Sequence, residues 1–158
     1  MEIERKYLIE EKNLPRPLEQ YECLFIEQAY LCTDPVIRIR QENDSYYLTY
    51  KGRGLMVREE YNLPLTPASY QHLLSKADEN KITKKRYLIP LPKTSLTIEL
   101  DVFLGYLSGL ILAEVEFPDE AAADAFTPPG WFGREVTYSG LYHNSYLCTL
   151  SAPPLSDS

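Results

Sequence analysis

At 158 residues the chain has the length of one ordinary domain, enough to bury a core without staples. Its content is 44% hydrophobic and 25% charged, which is globular. No apolar run approaches the roughly 20 residues a helix needs to cross a bilayer, so a soluble chain is expected. The net charge of −7 excludes nucleic-acid binding through a broad basic surface, so any anionic ligand must meet a local concentration of Lys and Arg.

Taken in chain order, the segment 1–9 opens directly on Glu2-Ile3-Glu4-Arg5-Lys6. It reads as folded strand and lacks the apolar centre of a secretory signal, which predicts a cytoplasmic protein. Period-two alternation of apolar and polar residues recurs at 24–31, 36–42, 45–51, 57–64, 82–90, 95–103 and 110–117, so about eight strands are expected. Three helices interrupt them. One runs from Thr66, a capping residue followed by Pro67, to about Asn80, with Tyr70, Leu73, Leu74 and Ala77 as its apolar stripe. Another starts near Asp119 and continues to Phe126, and a third covers Leu141 to Leu150. Residues 1–150 are read as a single domain and 151–158 as a tail. The class expected is α+β, mainly β, with few helices. Cys23, Cys32 and Cys148 lack C-x-x-C spacing and are expected as reduced packing residues.

The polar faces of these strands are ionic. Glu2, Glu4 and Lys6 share one face because side chains alternate along a strand. By the same parity Arg38 pairs with Arg40, Thr49 with Lys51, Lys84 with Arg86, Glu60 with Asn62, Glu99 with Asp101, and Glu114 with Glu116. Any one of these strands alone fits a solvated outer face. Together they sort acids and bases by strand, whereas solvated faces usually mix the two signs. A closed antiparallel barrel of eight strands turns such faces into its lumen and leaves the apolar faces for helices to cover.

Six cations in one lumen, Lys6, Arg38, Arg40, Lys51, Lys84 and Arg86, suit a ligand with several phosphates, the arginines supplying planar forks. The carboxylates Glu2, Glu4, Glu60, Glu99, Asp101, Glu114 and Glu116 repel that ligand unless a divalent cation intervenes, and hard oxygen donors suit Mg²⁺ or Mn²⁺. Hydrolysis then needs only an oriented water and neutralised phosphoryl charge, with no protein nucleophile. His72 and His143 lack the spacing of a metal pair and are assigned no catalytic role.

These residues resemble the CYTH superfamily, the triphosphate tunnel metalloenzymes, marked by Glu-x-Glu-x-Lys on the first strand. Glu2-Ile3-Glu4-Arg5-Lys6 matches it, joined by Arg38-Ile39-Arg40, Leu48-Thr49-Tyr50-Lys51-Gly52, Lys84-Lys85-Arg86-Tyr87, Glu99-Leu100-Asp101-Val102-Phe103 and Glu114-Val115-Glu116-Phe117. The likeness runs from Met1 to about Leu147 and is nearest to short bacterial members that hydrolyse inorganic triphosphate. It implies an eight-stranded tunnel, the six cations on phosphate, and Glu2, Glu4, Glu114 and Glu116 around metal.

It also implies a catalytic group of Glu2, Glu4, Lys6 and Tyr30, with Tyr30 a candidate lid over the tunnel mouth; Ala29 replaces the family's frequent glycine. Asn62 stands where an acid often follows Glu60, and Arg134 precedes Glu135 where relatives commonly carry two acids. The expected activity is metal-dependent hydrolysis of triphosphate to pyrophosphate and phosphate by a monomer or homodimer that engages neither nucleic acid nor membrane. Adenylate cyclase or thiamine triphosphatase chemistry on an organic triphosphate is the alternative, and a non-catalytic polyphosphate-binding module is the alternative of another class.

Overall fold

The computed structural model describes residues 1–154. Residues 155–158 of the expected tail lie outside the described residues. Among the described residues are nine antiparallel strands: β1 (Glu2–Leu8), β2 (Glu22–Thr33), β3 (Val36–Glu42), β4 (Ser45–Lys51), β5 (Val57–Arg58), β6 (Glu60–Pro64), β7 (Asp78–Pro90), β8 (Thr97–Phe103) and β9 (Ile111–Glu116). Three short α-helices accompany them: α1 (Pro67–Leu74), α2 (Glu120–Ala125) and α3 (Asn144–Leu147). No helix among the described residues is long and apolar enough to cross a membrane.

The strands form one sheet in the order β5-β1-β9-β8-β7-β2-β3-β4-β6. Its two outermost strands are consecutive in the chain, separated only by Glu59, so the sheet comes round on itself into a nearly closed barrel. The expected strand 57–64 is therefore split. Its first part pairs with β1 (Glu2↔Arg58, Ile3↔Val57) and its second with β4 (Lys51↔Glu60 to Tyr47↔Pro64). One polypeptide run serves both sides of the seam, which accounts for nine strands where eight were expected.

The apolar strand faces point outward and are covered, as the alternation predicted. Tyr7, Ile98, Leu100, Ala113 and Val115 pack under α2 and the chain around Phe126 and Phe132. Ala29 and Ile39 pack under α1 through Tyr70, with Leu73, Leu74 and Ala77 beside them. Thr66 caps α1 by accepting from Ser69 N, and Ser69 reciprocates, a capping box that fixes the helix start. The helix ends earlier than expected, because the chain from Asp78 onward pairs with β2 and is drawn into β7.

The third expected helix differs more. Only Asn144–Leu147 is α-helical, preceded by a 3-10 turn at Gly140–Tyr142. This segment enters the barrel end where β1 finishes. There Tyr142, Leu147 and Cys148 fill the interior against Tyr30, Val36, Ile82, Phe103 and Leu112. The lumen is thus charged over part of its length and apolar at the filled end. Cys148 is buried packing, whereas Cys23 and Cys32 are exposed free thiols, contrary to the expectation that all three pack.

Candidate functional site

Above the apolar filling the barrel holds a cavity of about 360 Å³. Its walls follow from strand parity. Glu2, Glu4 and Lys6 of β1 face Glu114 and Glu116 of β9, and Glu99 of β8 continues the acidic wall. Arg38, Arg40 and Glu42 of β3, with Tyr47 and Lys51 of β4, make the opposite wall, and Arg86 reaches in from β7. Glu60 and Asn62 of β6 stand at the seam.

The cations are held in place by specific partners. Lys51 Nζ spans the seam to Glu2 Oε1 at 3.0 Å and Glu60 Oε2 at 3.3 Å. Lys6 Nζ lies 3.4 Å from Glu114 and donates to the Tyr142 carbonyl at 3.2 Å. Arg40 Nε donates to Gln28 Oε1 at 2.8 Å, and Gln28 Nε2 in turn donates to the Tyr30 hydroxyl at 3.3 Å. Arg38 donates to Thr49 at 3.1 Å, and its buried Nε has no partner among the described residues. A guanidinium N–H left unpaired in a buried wall is costly unless a ligand completes it.

Lys84 and Asp101 do not join these walls. Both side chains are 0% exposed and meet at 2.7 Å behind the cavity surface. Asp101 also takes a two-pronged bond from Arg86, at 2.7 and 2.9 Å. Asp101, expected on metal, and Lys84, expected on phosphate, thus stand in this structure as a buried pair outside the cavity lining, with Asp101 holding Arg86. Burial is the largest influence on Lys84 and lowers it to about 7, against the pull of Asp101.

The acids carry the opposite strain. Glu4 sits directly across from Glu116 in the β1–β9 register, an arrangement of like charges that destabilises a sheet. Its carboxylate has no hydrogen bond or ion pair among the described residues, and burial, then the charges of Glu114 and Glu2, push it up to about 8. Burial, opposed by Lys51, raises Glu2 to about 7. Glu60, despite its own burial, is lowered to about 2 by its hydrogen bond with Glu2 and by Lys51. Glu116 is raised by burial and by Glu99 and Glu60.

The donor chemistry of Glu2, Glu4, Glu114 and Glu116 fits a hard divalent cation, and the unpaired Glu4 is the observation that asks for one. As the side chains stand, no three His, Cys, Asp or Glu among the described residues converge on a metal position. Glu2, Glu99 and Glu114 are turned onto Lys51, Arg86 and Lys6 instead.

Tyr30, the expected lid residue, is 2% exposed in this structure, packed in the apolar filling and bordering the cavity. Asn62 accepts from Thr49 at 2.5 Å and donates to Glu60 at 3.1 Å, tying β6 to β4 beside the seam. Glu135 is drawn out of the question of lumen acids, since its carboxylate holds Arg5 at 2.7 and 2.8 Å. The cavity also contains residues that sequence reasoning passed over: Glu42, Tyr47, Arg58, Thr137, His143, Asn144 and Ser145. Parity carried a signal for Glu42, Tyr47 and Arg58, which continue the Arg38-Arg40, Thr49-Lys51 and Glu60-Asn62 faces. Nothing periodic marks 143–145, which arrive with the C-terminal segment.

The CYTH domain family model matches residues 1–136. A relative from Nitrosomonas europaea named inorganic triphosphatase is 40% identical over 155 residues, covering 96% of this chain and 99% of its own length. Another of that name from Acetivibrio thermocellus is 35% identical over 154 residues, covering 92% of each chain. The crystal structure of the inorganic triphosphatase NE1496 superposes with a TM-score of 0.70 at 37% identity, over 98% of this chain and 97% of that one. With the match running unbroken through all nine strands, and the charged lumen built on the strands it covers, this chain belongs to the CYTH domain family.

Proposed function

We propose that this protein hydrolyses inorganic triphosphate to pyrophosphate and phosphate, with a divalent cation, Mg²⁺ or Mn²⁺, held by Glu2, Glu4, Glu114 and Glu116 and flanked by Glu60 and Glu99. The observation that carries the reading is the facing of a basic and an acidic wall across one cavity of about 360 Å³. Relatives named inorganic triphosphatase, aligned over nearly their whole length, support the choice of substrate.

Arg38, Arg40 and Arg86 bind phosphate oxygens through planar forks, and Lys6 and Lys51 act as point charges. Each has its head group held by a neighbour, so orienting the substrate costs little at the moment of reaction. Asp101, itself paired with Lys84, acts from behind by holding Arg86, and Tyr30 acts through Gln28 on Arg40. When bound, the divalent cation polarises phosphate oxygens and offsets the mutual repulsion of the carboxylates. An oriented water is the nucleophile, and the cations absorb the charge that develops on the transferring phosphoryl group.

The test is phosphate release from triphosphate, ATP and thiamine triphosphate with Mg²⁺ or Mn²⁺. Triphosphate is expected to be the preferred substrate, with loss of turnover on adding EDTA and in Glu4→Gln and Lys51→Ala. Release indifferent to EDTA and to both substitutions would end the metal-assisted reading. Tight binding of triphosphate without turnover would identify a polyphosphate-binding module instead.

A further inference from the structure

Glu42 is a lumen acid that the division into an acidic and a basic wall does not explain. It stands at the end of β3 among the cations, opposite Glu4 and Glu116. A bare carboxylate at that place repels a polyphosphate. Glu42, however, has both oxygens taken by its own wall: Oε1 receives Arg40 Nη1 at 3.3 Å, and Oε2 receives the Tyr47 hydroxyl. Held this way, it is turned from the opposite wall and its metal-binding acids.

The strand register makes this grouping. Arg40 lies directly across from Tyr47, and Glu42 follows Arg40 on the same face. The two strands close just beyond, through the turn Asn43-Asp44, where Asn43 takes a left-handed φ of 49° that asparagine tolerates. The turn is fastened to β2 as well. Phe25 N donates to Asn43 Oδ1 at 2.9 Å, and Asn43 N donates to the Phe25 carbonyl at 3.0 Å. Glu42 and Tyr47 therefore sit by a hairpin end that is held on two sides.

Arg40 is gripped through two of its three nitrogens, Nε by Gln28 at 2.8 Å and Nη1 by Glu42. Two such bonds fix the plane of a guanidinium and leave Nη2 and one N–H of Nη1 to a ligand. The grip works against repulsion from the same wall. Burial first, then the charges of Arg38 and Arg86, lower Arg40 to about 10, and the charge of Glu42 opposes them.

We infer that Glu42 and Tyr47 are positioning residues of the phosphate-binding wall: Glu42 is the counter-ion that fixes the Arg40 fork, and Tyr47 is the latch that keeps Glu42 off substrate and metal. The inference rests on the reading that this chain acts on triphosphate. Neither residue touches the reacting atoms. By ordering a long charged side chain before substrate arrives, the pair removes that entropy loss from the binding step. Taking this acid out of the basic wall then weakens the binding of a polyanion, the reverse of what simple repulsion predicts.

The experiment is a double-mutant cycle read by steady-state kinetics on triphosphate with Mg²⁺, each variant being checked for folding by circular dichroism and Tm. Glu42→Gln is expected to raise KM about tenfold, and Tyr47→Phe about three- to tenfold, with little change in kcat, the scale of one hydrogen bond to a charged group. In the Arg40→Gln background both substitutions are expected to add nothing, because the group they orient is gone. A merely structural role carries its loss into either background. Tyr47→Phe removes only a hydroxyl, so it keeps the test open if Glu42→Gln does not fold.

A lower KM in Glu42→Gln would make Glu42 a repulsive acid and overturn the brace. So would an unchanged KM in the folded variants, or losses that persist in full beside Arg40→Gln. If the unmodified protein bound triphosphate without releasing phosphate, the triphosphatase reading alone would fall, and calorimetric Kd values for triphosphate in the same cycle would decide the brace. If it neither bound nor hydrolysed triphosphate, both would fall.

Discussion

Asp101 shows how a charged residue can govern a binding wall without reaching it. It accepts two bonds from Arg86 and one from Lys84 while fully excluded from solvent. Removing the charge of one member of a buried ionic group leaves the others uncompensated, at a cost of about 3–5 kcal/mol. Asp101→Asn is therefore expected to lower the unfolding free energy by about that amount, and to raise KM for triphosphate by releasing Arg86. Urea denaturation and steady-state kinetics check the two effects separately. A fully stable variant with weakened substrate binding would confine Asp101 to positioning, and one with unchanged stability and KM would remove its role. In the sequence Asp101 was indistinguishable from Glu99, since both share a face; only depth along the barrel separates them, and parity does not encode depth.

At the scale of elements, the strands were legible and the C-terminal segment was not. Alternation marks which side of a strand is polar, and the barrel uses every such face inward over its charged portion. Residues 36–42 and 45–51 became β3 and β4 with the expected limits. The segment at 141–150 read simply as a helix, and its apolar residues form a stripe whose place in the fold the sequence does not mark. Whether that stripe packs on the outside of a barrel or within it depends on the space left between strands, which is a tertiary quantity.

Leu147 tests this placement. It is 0% exposed within the apolar filling, where truncation to alanine costs about 2–5 kcal/mol. Leu147→Ala is expected to show that loss in thermal or urea unfolding. Because α3 carries Asn144 and Ser145 on its first turn, the same variant should also raise KM for triphosphate. A stability loss without any change in KM would mean that the segment fills the barrel but does not shape the cavity.

For the whole molecule, the excess of buried acid couples stability to pH and, on the proposed function, to divalent metal. Glu2 near 7 and Glu4 near 8 hold protons that the unfolded chain has already lost above 4.5. They therefore make the metal-free protein less stable as pH rises from about 4.5 through 7 and 8. His143, at about 4 and not 6.5, works in the opposite sense between those two values, and Lys84 does so above about 7. Neither is placed on the metal, so their contributions largely cancel when Tm is compared with and without it.

The increase in Tm on adding Mg²⁺ is expected to be larger at pH 8 than at pH 6, because at pH 6 the cation must displace protons from Glu2 and Glu4. Equal increments at the two pH values would show that these two acids do not bind the metal. Glu4→Gln should shrink the increment at pH 8.

The seam of the barrel gives this coupling a mechanical side. Only two residue pairs tie β5 to β1, and Glu2 lies on that short ladder while Lys51 reaches it from across the gap. Such a ladder is the natural place for local opening, since few hydrogen bonds must break there. A ligand gripping Glu2 on one lip and Lys51 on the other acts as a clasp. On the proposed function, substrate and metal would do more than occupy the barrel: they would supply the cross-links that its shortest strand pair lacks, making the protein most completely a barrel when it is loaded.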